Sequence, residues 1–320
     1  MKKRMVALGM ALALAVTALA GCGEKTETWT VTCPWAPSGV AAMVSQKAAA
    51  LSTTYSKDII LVADAIKGDA ATVNSWVADK KANDPELVFA GEGLFSITSQ
   101  LDPAKLQFTY DDFEFVENLY SSVFVMSASA DLGIKTIADL ENYLKEGKEI
   151  VVAANGATGS EAFLAASLIG AMGYGDQMKL VAYSSAAEAA QAVARGETNV
   201  AVSHQSQILE TFQQGGVNIV CAFDESDITD GPFAGSEGVG KYGYPYFKNR
   251  CLILARKGTD AEKIAALKTL YGQILADKEV VSWLNDTMLL EADPLTNEQV
   301  VEHIENVKSI VNEYKDLVVQ

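Results

Sequence analysis

Positive charge is scarce in this chain: 25 Lys and Arg stand against 41 Asp and Glu, for a formal charge of −16 over 320 residues. Contact with phosphate backbones needs clustered Lys and Arg, so no nucleic-acid partner is expected, and the acidity reads as a solvated surface. Histidine is nearly missing. His204 and His303 are too far apart for metal-ligand spacing, and His303 reads as lying on a polar helix face, so any Ser-His-Asp set would have to use His204. The four cysteines contain no CxxC pair. Gly156–Ser160 lacks the GK of a phosphate-binding loop and is not GxSxG, which leaves Ser160 without a nucleophile elbow. The acidic run Asp224–Gly231 with Glu237 matches three positions of a calcium loop, but Ser226 and Ile228 stand where two more ligands belong, so it reads as a solvated turn. Neither a metal nor a cofactor is expected, and no second long apolar run follows the first, so the body is expected to fold in water.

What is present begins with an address. Lys2, Lys3 and Arg4 precede an apolar core, Met5–Ala20, broken only by Thr17, and small residues then lead to Cys22, which is the layout of a secretory signal. Leu19-Ala20-Gly21-Cys22 resembles a bacterial lipobox. That resemblance implies cleavage before Cys22, a lipid on its sulfur, a signal peptide over 1–21, a polar tether over 22–28 and a site outside the cytoplasmic membrane. The apolar run is shorter than the roughly 18–20 residues of a spanning helix, which disfavours a transmembrane anchor. One acyl chain holds only marginally, whereas a diacylated Cys22 supplies two. Losing the three leading cations takes the formal charge to −19. Cys33, Cys221 and Cys251 remain, each in an apolar strand pattern where a small hydrophobe serves, so buried thiols are expected rather than a Cys221–Cys251 bridge.

The pattern of elements is regular. Trp29, Val31, Cys33 and Trp35 alternate with polar residues as a strand; a helix over Val40–Thr54, a strand over Asp58–Ala63, a helix over Ala70–Lys81 and a strand over Glu86–Ala90 follow. The same order returns as Glu149–Ala154, Ser160–Met172, Met178–Tyr183, Ala186–Arg195 and Thr198–Val202, then a helix near Gln205–Gln213 and a strand at Val217–Phe223. Repeated βαβαβ predicts an α/β chain with two lobes, each built on a parallel sheet. Apolar extended segments at Ser122–Ser129 and Arg250–Gly258 are expected to cross between them, dividing the chain into lobe 1 (29–124 plus 252–320) and lobe 2 (125–251). Asp260–Ala276, Lys278–Asp286 and Asn297–Leu317 read as helices, the last with capping-box spacing from Thr296 to Gln299.

Several segments together resemble the solute-binding proteins of tripartite tricarboxylate transporters, of TctC and Bug type. VTCPWAPSGVAAMVSQKAAALS is similar to that family's opening strand, Phe-Ala-Pro-Gly-Gly turn and helix. VAYSSAAEAAQAVARGETNVAVS is similar to its Val-Pro-Tyr-Lys-Gly segment with helix, glycine and strand, and ANGATGSEAFLAA to its Ser/Gly-rich loop. The resemblance implies a periplasmic-binding-protein-like clamp of type II, with no catalysis, that hands a small carboxylate-bearing solute to a permease of one large and one small membrane subunit. The chain departs from the family at Ser38, Ala42, Ser184-Ser185 and Ser203, which stand in place of a glycine, an acid, a Lys-Gly pair and an aspartate. Those departures weigh against a citrate-like or dicarboxylate ligand.

Read from the residues alone, the same loops suit an anion. Each ends a parallel strand and opens a helix, where unpaired N–H groups and the helix dipole favour a carboxylate. The candidates are Trp35, Pro37, Ser38, Gly39 and Val40 in the first loop and Gly91 and Glu92 in another. The second lobe offers Asn155, Thr158, Gly159 and Ser160, then Tyr183 and Ser184, then Ser203 and His204. Glu92, if it points inward, would repel a polyanion or pair with an ammonium group, which keeps amino acids in play. Two other readings stay open: an exported hydrolase using Ser160 or His204, and a sensor lipoprotein that signals on binding. A monomer is expected.

Overall fold

A computed structural model describes residues 26–318; the segment expected to be a signal peptide, 1–21, and the lipidation candidate Cys22 lie outside the described residues. Ten strands appear among them: β1 (Glu27–Cys33), β2 (Ile59–Ala65), β3 (Glu86–Gly91), β4 (Phe113–Ser122), β5 (Phe124–Ser129), β6 (Ile150–Asn155), β7 (Met178–Tyr183), β8 (Val200–His204), β9 (Val217–Ala222) and β10 (Asn249–Arg256). They form two five-stranded sheets, ordered β2-β1-β3-β10-β4 and β7-β6-β8-β5-β9. In the first, β1 runs parallel to β2 and β3; in the second, β6 runs parallel to β7 and β8. Each sheet is then extended by an antiparallel strand that arrives from elsewhere in the chain, β10 in the first and β5 in the second.

Parallel neighbours need a crossover, and helices supply it. The first lobe uses α1 (Val40–Tyr55) and α2 (Ala70–Asp79). After α3 (Ile137–Lys145), which the periodicity did not announce, the second lobe uses α4 (Ser160–Ala171), α5 (Ala186–Ala194) and α6 (Gln205–Gln213). A further helix, α7 (Ala261–Ala276), packs on the first sheet and is capped by Asp260, which accepts from the Glu262 N–H at 2.8 Å. The last is α8 (Asn297–Val318). The sequence-predicted helix over 278–286 divides into a short helix, Lys278–Ser282, and a π-helical turn, Trp283–Met288.

The expected crossings are half right. The chain changes sheets between β4 and β5 through Val123 alone, inside the predicted segment Ser122–Ser129. The second predicted crossing strand, however, lies wholly in the first sheet as β10, and the loop 223–248 makes the return. Residues 249–251, placed by the sequence in lobe 2, therefore belong to the first sheet, and β1 starts within the stretch read as tether.

Helix α8 corrects the division further. Val300 and Ile304 join the first-lobe cluster around Phe95 and Phe113, whereas Val307 and Val311 join the second-lobe cluster around Phe163 and Leu168. These four positions make one apolar stripe at helical spacing, so a single helix face is shared by both lobes. Burying each such side chain is worth roughly 1.5–3 kcal/mol, enough for the stripe to tie the lobes together. The capping box forms as its spacing predicts: the Gln299 N–H donates to Thr296 Oγ1 at 3.3 Å and the Thr296 N–H to Gln299 Oε1 at 2.8 Å.

The three described cysteines are free and buried. Cys33 and Cys251 sit in the first-lobe core and Cys221 in the second, so Cys221 and Cys251 do not pair. Burial pushes the Cys33 thiol up to about 11 and that of Cys251 to about 12, which makes them inert small hydrophobes.

Candidate ligand cleft

The carboxyl ends of both parallel strand sets meet where the lobes face each other, and between them lies a cavity of about 410 Å³. In the first lobe, Trp35 leaves the end of β1 and packs edge-on against Phe89 at 5.9 Å between ring centroids. Its ring lies 3.5 Å from where a Cβ on Gly91 would stand, an ordinary contact distance, so the indole packs over this strand end without requiring glycine there. Gly39 caps α1, and a Cβ there would come within 3.1 Å of the Ala36 carbonyl oxygen. Trp35, Gly39, Val40 and Gly91 all line the cavity. Pro37 and Ser38 do not; they are exposed on the outer side of the turn.

Glu92 is the larger correction. It is fully buried and turned away from the cavity. Its carboxylate accepts from Ser96 Oγ at 2.7 Å and faces His303 Nε2 of α8 at 3.6 Å. His303, expected on a polar helix face, is instead mostly buried, with its Nδ1 against the Arg250 guanidinium, which pairs with Asp293 at 3.3 Å.

From the second lobe, Asn155, Gly159, Ser160, Tyr183, Ser184 and His204 line the cavity. Gly156, at φ +80°, holds a backbone angle that side chains resist and lets the loop turn back toward α4. A Cβ on Gly93 would stand 2.8 Å from Ser160 Oγ, so the two lobes approach closely at this point. Thr158 lies outside the lining: its Oγ1 accepts from Lys105 Nζ at 3.1 Å, an interlobe hydrogen bond. Ser203 is fully buried beneath the cleft, and its hydroxyl has no hydrogen-bond partner among the described residues. Ser184 Oγ donates to Glu188 Oε2 at 2.7 Å.

His204 ends β8 with its Nδ1 2.8 Å from Ser122 Oγ and its ring 4.6 Å from that of Phe124. Burial lowers its pKa to about 4, so the ring is neutral at ordinary pH. Its side-chain partner is Ser122 rather than Ser160, and among the described residues no carboxylate bonds to it; the nucleophile, base and acid of a hydrolase are not assembled around it.

Sequence reasoning passed over one whole wall. Lys67, Gly68 and Asp69, between β2 and α2, line the cavity and obey the same strand-end rule as the other loops. Gly68 N–H and Asp69 N–H both donate to the Pro34 carbonyl, at 3.1 and 2.9 Å, which pins this loop to the first one. Asp69 adopts φ 46° and ψ −124°, a sparsely populated conformation for a residue with a side chain. Glu161, in the first turn of α4, also faces the cavity, and burial together with the nearby Asp69 raises its pKa to about 7. Tyr120 and Asn249 enter from β4 and β10, the antiparallel strands, where no helix-start pattern signals them.

Helix caps separate the cleft from the rest of the molecule. Helices α1, α2, α4 and α6 begin at the cleft without a side-chain cap, whereas α3 and α7 are capped by Thr136 and Asp260. Helix α5 begins at the cleft too and is capped by Ser185. First-turn N–H groups left open in this way are ready donors to an anion.

Elsewhere, the acidic run is used internally. Asp227 accepts from Lys241 Nζ at 2.8 Å and from the Gly238 N–H at 2.9 Å, and Glu237 accepts from the Tyr242 hydroxyl at 2.7 Å. Among the described residues no group of three or more His, Cys, Asp or Glu is arranged to hold a metal ion, and no helix is long and apolar enough to cross a membrane.

No protein-family model and no curated protein sequence matches the chain. Solved structures do. The fold is that of the two-lobed α/β clamps of periplasmic binding proteins, and within that class it is similar to structures of TctC and Bug type. An R. palustris protein solved with adipate superposes at a TM-score of 0.79 with 16% identity, covering 91% of this chain and 97% of that one. MatC from Rhodopseudomonas palustris with bound malate gives 0.74 at 18% identity, covering 91% and 98%. The periplasmic binding protein BugD gives 0.75 at 16%, covering 90% and 97%.

Proposed function

We propose that this chain is an extracytoplasmic solute-binding protein of the tripartite tricarboxylate type, which captures a small carboxylate-bearing molecule and delivers it to a membrane permease without catalysis. The observation that carries the reading is the interlobe cavity of about 410 Å³, onto which helix N-termini from both lobes open without side-chain caps. A cavity of that size suits a small organic acid, which backbone N–H groups and short hydroxyls would hold. The binding residues on this reading are Trp35, Gly39, Gly91, Asn155, Ser160 and Tyr183, with Val40, Gly159, Ser184 and His204 completing the wall. The likeness in fold to structures solved with adipate and malate supports the ligand class. The lipobox-like segment at Cys22 supports a lipid anchor, which would keep the receptor beside its permease.

Two measurements test this. A thermal-shift panel of mono-, di- and tricarboxylates, amino acids and neutral isosteres is expected to raise the unfolding temperature for at least one acid and for none of the isosteres. A panel of acids that leaves the unfolding temperature unmoved would refute the reading. For the anchor, wild-type protein is expected in the membrane fraction and Cys22→Ala in the soluble fraction or as uncleaved precursor; an unmodified mature N-terminus at another residue would remove the lipoprotein assignment.

A further inference from the structure

The cleft is electrically uneven. Helix α1 opens onto it with no acidic residue in its first turn and no side-chain cap. The helix opposite carries its own anion: Glu161 lies in the first turn of α4, and its Oε2 stands 3.4 Å from the place of a Gly159 Cβ, folded back over the helix start. Within the first lobe, Asp69 stands at the start of α2 and makes no side-chain cap hydrogen bond to that helix. No ion pair among the described residues engages Asp69 or Glu161, although both line the same cavity and lie near enough for Asp69 to oppose the ionisation of Glu161. Two unneutralised carboxylates facing one cavity repel each other and repel a second anion. The wall also contains Asn249, 8% exposed, whose amide has only a 3.9 Å approach to the Cys251 sulfur, and Gln207, whose Oε1 has no partner. Those amide oxygens are further acceptors without a donor.

From this arrangement we infer that the solute carries an ammonium group as well as a carboxylate: Asp69 and Glu161 receive the ammonium, and the open start of α1 at Gly39 receives the carboxylate. The inference rests on the solute-binding reading above and narrows its ligand class to amino-bearing acids. The other charged or titratable groups around the pair do not supply the missing cation. Lys105 reaches toward Asp69 but is engaged by Asp102 at 3.0 Å and by Thr158 at 3.1 Å, and His204 is neutral. Tyr120, Tyr183 and Cys251 complete the titratable lining, and its one positive side chain is Lys67, which like Asp69 is exposed on that loop and forms no ion pair with either carboxylate.

The test is calorimetry on the full mature chain with matched pairs differing by one amino group: glutamate against glutarate, aspartate against succinate, 4-aminobutyrate against butyrate. At least one amino member is expected to bind about tenfold tighter than its partner or better, since a charge-assisted hydrogen bond is worth roughly that much. In Asp69→Asn and Glu161→Gln that preference should collapse toward one; each replacement keeps the size and shape of the side chain, and cooperative unfolding of each variant confirms its fold. Affinity for the amino member should also rise from pH 6 to pH 8, because Glu161 must lose its proton to receive an ammonium group. Desamino acids that bind as tightly as their partners, or a preference that survives both variants, would overturn the ammonium assignment and leave the carboxylate receptor standing. Failure of every pair to bind the folded wild-type protein would overturn both.

Discussion

The two lobes share a topology and differ in what they present to the cleft. Each sheet sets three parallel strands beside one inserted antiparallel strand, in corresponding orders. Yet the first lobe offers an aromatic wall and an uncharged helix start at Trp35 and Gly39, while the second offers an amide, a hydroxyl and a carboxylate at Asn155, Ser160 and Glu161. Strand order is enforced by cores such as those around Trp29 and Phe163, which are buried and indifferent to what stands at the loop tips. Chemistry at the loops is therefore free to diverge between lobes without cost to the fold.

The largest effect should come from the glycine that starts α1, set against the glycine that starts α4. Gly39→Leu is expected to reduce ligand affinity by more than about a hundredfold, because its side chain meets backbone at 3.1 Å and displaces the turn that would hold the carboxylate. Gly159→Ala should cost less than about fivefold, since its new Cβ meets only contacts of 3.4 Å, which are ordinary packing distances. Calorimetry of the two variants checks the order, and equal losses would show that the lobes contribute alike.

Hydroxyls sharpen the same contrast. Ser160→Ala should weaken binding about tenfold, as for a lost hydrogen bond to a charged group. Thr158→Val should weaken it less than about threefold, because its hydroxyl is spent on Lys105 across the lobes rather than on the cavity. A larger effect for Thr158 than for Ser160 in the same titration would mean that closure, not contact, controls affinity.

Glu161 has no counterpart at the start of α1, and its pH dependence can be measured without ligand. Its folded-state pKa, about 7, lies above the ordinary carboxylate value of 4.5, so the folded state holds a proton that the unfolded state has released between those limits. Stability from this group is present below about pH 4.5 and lost as pH rises through 7. Glu161→Gln should therefore unfold at a higher temperature than wild type at pH 8, with the difference closing toward pH 4. Parallel melting curves across that range would contradict the assignment.

The smallest effect compares cleft helices with the others. Thr136→Ala removes the α3 cap, whose Oγ1 accepts from the Asp139 N–H at 3.1 Å, and should cost about 1 kcal/mol of stability by denaturant titration. Ligand affinity should not change.

The cleft was legible wherever a local rule reached it. Strand ends followed by Gly, Ser or Asn and then a helix marked Gly39, Gly91, Asn155, Ser160 and Tyr183, and these residues do line one cavity. The rule failed in two ways. It stops short at Lys67–Asp69, where IKGDA carries the strand-to-helix signal with only one glycine and no Ser or Asn to mark it. It also said nothing about side-chain direction, so Glu92 was placed at the cleft although it points to His303, and Thr158 although it bonds to Lys105. Position along a strand end is a local property, whereas direction at a loop depends on what packs beneath it.

By itself, the amino-acid sequence determined the order of elements, the repeated βαβαβ and the capping box of α8, because periodicity and capping act within a few residues. Tertiary structure alone decided that the stripe from Val300 to Val311 spans both lobes, that β10 is inserted between β3 and β4 in the first sheet, and that Asp69 and Glu161 face the same cavity. Residues 92 positions apart come together only when two separately folded sheets are set face to face, and no local preference encodes that meeting.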